Sequence, residues 1–148
     1  MSLFDAISIA GSGLSAQRIR MDVTAENLAN ADTTRAANGQ PYQRQEVRLQ
    51  AVGSKAFNTA LSGAMQQGEE VAPGGVRVTG IIADKTPDQQ VYDPGNPEAD
   101  ARGYVKLPNV STVTEMTDLI TEQQSYQSDV TAMQTAKSMF SSMLGVLK

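Results

Sequence analysis

The chain of 148 residues contains neither cysteine nor histidine, and these two absences narrow its chemistry more than anything it contains. Without thiols no disulfide can form, and zinc sites built from Cys or His are excluded. Ser–His and Cys–His nucleophile pairs go with them, as does any imidazole acid or base. Tryptophan is missing too, while aromatic residues make up 5% and hydrophobic residues 40%. That is thin for one large core, and it favours an elongated molecule or one completed by partners. Lysine and arginine are nowhere clustered and the net charge is −4. Nucleic acid is therefore not an expected partner, because neutralising phosphates needs concentrated positive charge. No segment approaches the roughly 18–20 consecutive apolar residues of a membrane span, so direct membrane insertion is not expected either. Asp5 stands where a secretory signal would carry lysine or arginine; the chain reads as mature protein, leaving the cytoplasm, if it does, without a cleaved signal peptide.

What the chain does have is a period of seven at both ends. After Glu115, one ladder runs Leu119, Tyr126, Met133, Phe140 and Leu147, and a second runs Met116, Gln123, Val130, Lys137 and Leu144. Steps of three and four alternate between the two. On a helix that traces one stripe along a surface otherwise made of Ser, Thr, Gln and acid. At the other end Ile7, Leu14, Met21 and Leu28 repeat the spacing, with Leu3 and Ala10 on an offset ladder that Gln17 and Thr24 weaken. The apolar members of these ladders form the expected assembly seam, from Leu3 to Leu28 at one end and from Met116 to Leu147 at the other. A helix with one narrow seam is built to lie against another helix.

The pattern predicts a helix over residues 2–30, with Ser2 as its cap, Asp5 in its first turn and Asn30 at its end. Gly11 and Gly13 each cost about 1 kcal/mol relative to alanine there; the open readings are a bend, a close approach by another backbone, or a tolerated weakness. Ser111 or Thr112 opens the second helix. Between them, turn formers run from Thr33 to Pro41 around Asn38-Gly39, and strand patterns fall on residues 42–50, 76–82, 90–92 and 103–107. This is a β unit of three to five strands, interrupted by the Asp93-Pro94-Gly95-Asn96-Pro97 loop. Residues 51–75 are small and polar. They read either as a mobile loop or as one short helix through Phe57, Leu61 and Met65.

Constellations with chemical potential are few. Asp93, Asn96, Glu98 and Asp100 lack the alternate spacing of a calcium loop, and two prolines stiffen them, so a solvated turn is expected. Gly11-Ser12-Gly13 lacks the third glycine and the preceding strand of a dinucleotide fingerprint. No serine is followed three residues on by lysine. Glu69-Glu70 is a carboxylate pair without an apolar pocket to separate its pKa values. The expectation is no catalytic residue, no metal and no cofactor. A membrane-surface helix would carry Lys and Arg on its polar face, whereas residues 111–148 hold two basic and four acidic residues.

Such helices, with two glycines in one and many Ser and Thr in the other, are not stable alone in water. Gln17, Thr24, Gln123 and Lys137 suit a dry two-helix core poorly, which points to completion by neighbouring subunits. Met116, Met133, Met139 and Met143, with Met21, are either ordinary core filler or a seam able to fit non-identical partners.

Two stretches carry a family resemblance. AENLANADTTR at 25–35 holds Asn27, Leu28, Ala29, Asn30, Thr33 and Thr34, and GQPYQR at 39–44 holds Pro41 and Tyr42. Together they resemble the N-terminal signature of bacterial flagellar rod and hook proteins. VYDPGNPEADARGYVKLPNV at 91–110 includes Tyr92, Asp93, Pro94, Gly103, Tyr104, Pro108 and Asn109, and runs into TEMTDLI at 114–120 with Glu115 and Met116. With SYQ at 125–127 and TAKSM at 135–139, it is similar to the proximal-rod branch of that family. Gln124, Asp129 and Asp32 depart from the Arg, Asn and Asn often found there.

The resemblance implies an α+β fold: N- and C-terminal helices paired as a coiled-coil-like stalk, with a small central β-rich domain. Its divisions would be residues 1–34, 35–110 (flexible near 51–75) and 111–148. It further implies a non-enzymatic structural subunit of the basal-body proximal rod, part of a tubular shaft that transmits torque. Partners would be other rod proteins in a hetero-oligomer, meeting the membrane ring and export-gate junction. Subunits of this kind pass through the flagellar type III apparatus and assemble in the periplasm. A sister rod or hook subunit is the alternative, although a hook or distal-rod subunit would carry a larger central insertion.

Overall fold

The computed structural model describes residues 3–36, 38–52 and 74–146. The expected cap at Ser2, the short helix through Phe57, Leu61 and Met65, the Glu69-Glu70 pair and the last seam residue, Leu147, lie outside the described residues.

The order of elements is α1 (Leu3–Ala29), β1 (Gln45–Val52), β2 (Gly75–Ala83), β3 (Gln89–Tyr92), β4 (Tyr104–Leu107) and α2 (Thr112–Val146). The class is α+β. Asp5 occupies the first turn of α1, where a carboxylate suits the positive end of the helix dipole. The helix stops at Asn30, whose backbone N–H and side-chain Nδ2 both donate to the Glu26 carbonyl, at 3.1 and 2.9 Å. Ser111 opens α2: its Oγ accepts from the Thr114 N–H at 3.4 Å and its carbonyl from the Glu115 N–H at 2.9 Å. Along α2, Thr117, Thr121, Thr131 and Thr135 each donate a hydroxyl proton to the carbonyl four residues back, at 2.9 Å.

The strands form two two-stranded sheets, β1 with β2 and β3 with β4. The second is antiparallel, in register from Gln89 opposite Leu107 to Tyr92 opposite Tyr104. The last pair of rings meets edge to face at 5.3 Å between centroids. The connection between β3 and β4 is held by its own acids. Asp100 accepts backbone N–H bonds from Tyr104 at 2.9 Å and Arg102 at 2.8 Å, and these hold its carboxyl below the usual aspartate value. Gly103 has φ +83°, and a Cβ there would lie 2.9 Å from the Tyr92 ring, so glycine is required on both counts.

The chain divides into two compact units, one of residues 1–18, 49–79 and 124–148, the other of residues 19–48 and 80–123. Among the described residues the buried apolar side chains are Ala16 and Ala136 in the first unit and Val23, Ala31, Val105, Pro108 and Val110 in the second. None is larger than valine. The second unit instead buries polar groups, namely Thr24, Asn27, Glu115 and Glu122. Buried polar residues are the informative ones.

Candidate assembly interface

In the unit of residues 19–48 and 80–123, α1 and α2 are joined by a buried network of hydrogen bonds. Asn27, 1% exposed, is at the centre. Its Nδ2 donates to the Gln45 carbonyl at 2.9 Å and to Glu115 Oε2 at 3.0 Å. Its Oδ1 accepts from the Gln45 N–H and from Tyr42 Oη, both at 2.9 Å. Two donors and two lone pairs are all an asparagine side chain has, and all four are in use. One side chain thus joins α1 to the start of β1, to Tyr42 and to the first turn of α2.

Glu115 is likewise 1% exposed. Its second oxygen, Oε1, accepts from Arg44 Nε at 2.6 Å. The guanidinium also bonds Glu46 and lies 3.6 Å from Asp118. Burial by itself would lower the Arg44 pKa, but the bonds and charges of Glu115 and Glu46 prevail and raise it. Tyr42 is pushed up from its ordinary value, first by burial and then by the negative charges of Glu26 and Glu115. Asn109 extends the network. Its Oδ1 accepts from the Arg44 N–H at 2.8 Å, and its Nδ2 donates to the carbonyls of Asp84 and Thr86 at 3.3 and 3.1 Å. Pro108, fully buried, fixes the backbone just before it. Two turns along α2, Glu122 faces Arg20 and Thr24 of α1.

The other unit shows a different kind of contact. A Cβ at Gly11 would touch Met133 Cε at 3.6 Å, and one at Gly13 would lie 2.8 Å from Asp129 Oδ2. Of the three open readings, the structure shows a close approach at Gly13, made by a side chain of α2 and not by a backbone, while the contact at Gly11 is an ordinary one. Ser12 Oγ donates to the Ile9 carbonyl at 2.7 Å and accepts from the Val76 N–H at 3.1 Å, tying α1 to β2. Gly13→Ala is expected to gain none of the roughly 1 kcal/mol that alanine brings to a helix, because Asp129 must move. The pair Gly13→Ala with Asp129→Ala should recover it. Thermal denaturation of both variants checks this, and a stabilised single variant would show that the Asp129 contact carries no weight.

Of the expected seam, Ile7, Leu14, Met21 and Leu28 on α1 and Leu119, Tyr126, Val130, Met133 and Phe140 on α2 are half-buried. Met116 and Leu144 are 53% and 52% exposed. The side chain of Leu3 lies outside the described residues. Of the motif residues, the structure joins Asn27, Tyr42 and Glu115 directly and Asn109 through Arg44. Asn30 and Thr33 form the turn after α1, where Thr33 Oγ1 donates to Asn30 Oδ1 at 3.3 Å. Tyr92, Asp93, Pro94, Gly103 and Tyr104 build the β3–β4 connection. Arg20 and Glu122 are not singled out by the sequence, Arg44 appears only as the end of the GQPYQR stretch, and Thr24 appears only as a residue that weakens the ladder.

Residues 7–36 match the model of the flagella basal body rod protein family, and residues 101–146 match that of the flagellar basal body rod FlgEFG protein C-terminal region. Over 139 residues the chain is 45% identical to the flagellar basal-body rod protein FlgC of Yersinia enterocolitica, covering 94% of this chain and 93% of that protein. It is 43% identical to the protein of the same name from Bacillus subtilis over the full length of both. To the one from Borreliella burgdorferi it is 37% identical, over 100% of this chain and 99% of that protein.

Proposed function

The chain belongs to the FlgC family of flagellar basal-body rod proteins and is a structural subunit of the rod, and we propose that its two long helices pair as a coiled-coil-like stalk which neighbouring subunits complete. The observation that carries this reading is the mismatch between what is buried and what is left out. No described side chain larger than valine is buried among the apolar ones, yet α2 leaves Val113, Met116, Ile120, Met139, Met143 and Leu144 52–74% exposed. Covering each would contribute roughly 1.5–3 kcal/mol, and large exposed apolar side chains in series are what a binding surface presents.

In this reading the seam from Leu3 to Leu28 and from Met116 to Leu147 meets other copies or sister rod proteins. Residues 1–34 and 111–148 form the stalk, and residues 35–110 the small β-rich domain. The subunit acts without catalysis, in the proximal part of a torque-transmitting shaft in the periplasm, between the membrane ring and export-gate junction and the next rod protein. It travels there through the flagellar export apparatus. An open groove of about 380 Å³ beside β4 supports the non-enzymatic reading. Its charged groups, Arg35, Glu98, Asp100 and Lys106, are all exposed to solvent.

Limited proteolysis tests the helix assignment. In the isolated chain, protease should trim both ends while the Asn27–Arg44–Glu115 network survives. The natural lack of cysteine allows a second measurement: cysteines at Met21 and Met133, or at Met116, should cross-link in assembled basal bodies. Ends that resist digestion in a proven monomer, with no cross-link in the particle, would defeat the proposal.

A further inference from the structure

Glu122 stands on the side of α2 that meets α1 and is 3% exposed. One carboxylate oxygen, Oε1, accepts from Thr24 Oγ1 at 3.3 Å and faces Arg20 Nε at 3.2 Å. The other, Oε2, is cut off from solvent and has no hydrogen-bond partner. A buried carboxylate oxygen without a donor is an expensive arrangement. Arg20 compensates only partly, because its side chain is 39% exposed and shares its charge with water.

The charged groups around Glu122 are few. From α1 there is Arg20, with Thr24 as a neutral donor. From α2 there are Asp118 and Glu115, both of its own sign. Arg44, in the same unit, is held by Glu115, Glu46 and Asp118. We propose that Glu122 is a protonation switch in the contact between α1 and α2, a contact tighter when this carboxyl carries a proton than when it carries a charge. The inference rests on the reading that these helices pair on assembly, and it names what regulates that pairing: a residual buried charge that keeps the pair weak at neutral pH.

Burial is the largest influence on this carboxyl and raises its pKa; Arg20 and Thr24 oppose the rise, while Asp118 and Glu115 add to it. A raised value means that the folded form binds the proton more tightly than the unfolded chain does. Its contribution to stability is therefore greatest below the ordinary glutamate value and is lost as pH rises through the folded value.

The test is Glu122→Gln in the full chain, which keeps the shape and the acceptor at Oε1 and removes the charge. At neutral pH its urea midpoint should lie above that of the wild type, with a several-fold higher ratio of folded to unfolded chain. The difference should vanish in acid below the ordinary glutamate range, where the wild-type carboxyl is neutral as well. Parallel pH profiles, or a variant weaker than wild type at neutral pH, would overturn the proposal. A carbon-13 titration of the Glu122 carboxyl in the wild-type chain decides independently of how the variant folds: a midpoint above that of an unstructured glutamate is expected, and one at or below it overturns the switch. These readouts need no rod. A chain that enters rods normally while Glu122 titrates like an exposed acid sinks the switch alone, whereas exclusion from rods counts against the subunit reading whatever Glu122 does.

Discussion

Arg44→Met is expected to destabilise the unit of residues 19–48 and 80–123 by about 3–5 kcal/mol, the usual penalty for stranding one member of a buried ion pair. Glu115 is the member left behind. It is 1% exposed, and Arg44 Nε, at 2.6 Å, is its charged partner. Asn27 would still donate to Oε2, but a neutral amide cannot offset a full charge out of water. The loss should show as a lowered denaturation midpoint at neutral pH. Adding Glu115→Gln to Arg44→Met should return part of it, since the uncompensated charge is then gone. A loss under 1 kcal/mol, unaffected by the second change, would place Arg44 with ordinary surface pairs.

Asn27→Leu should be as damaging by a different route, at about 3–5 kcal/mol. Leucine is similar in size but offers no donor or acceptor. The Gln45 N–H and carbonyl, Tyr42 Oη and Glu115 Oε2 all lose the atom that satisfied them. Asn27→Asp separates the donors from the acceptors. It keeps the two bonds accepted at Oδ1, forfeits the two donated by Nδ2, and sets a second carboxylate against Glu115. Its destabilisation should therefore shrink as the solution is acidified, while that of Asn27→Leu should keep its size relative to wild type over the same range. Urea denaturation of both at two pH values distinguishes them. Identical pH dependence would mean that the bond from Asn27 to Glu115 contributes nothing.

Much of the architecture was legible from periodicity and turn chemistry. The two helices fall within a residue or two of where capping by Asn30 and Ser111 suggested, and the β3–β4 pair lies where alternation and the Asp-Pro-Gly loop put it. The residues that join α1 to α2 were much harder to see. Asn27, Tyr42, Asn109 and Glu115 were visible only as motif residues, and nothing in the apolar spacing marked their bonds. Gly13, Arg20 and Asn27 recur at intervals of seven along α1, as do Glu115, Glu122 and Asp129 along α2, in the reverse order of their pairing. A search for sevens that ignored hydropathy would have found both sets. Hydropathy hid them because an acid normally marks the solvated face of a helix, whereas here Glu115 and Glu122 are buried. Arg44 closes the GQPYQR stretch, but nothing in its local pattern marks its partners. Its importance arises because the chain after α1 brings the start of β1 back beside the first turn of α2, and no spacing rule anticipates such a return.

The threonines of α2 carry a consequence for handling the molecule. A hydroxyl turned back onto its own helix leaves the γ-methyl as the outward group, so Thr117, Thr121, Thr131 and Thr135, all exposed, add hydrocarbon to the surface. The solvent meets a greasier rod than the letters spell. Concentrated solutions of the free chain should accordingly turn sticky at modest salt, and valine at these four positions should change that behaviour far less than serine would.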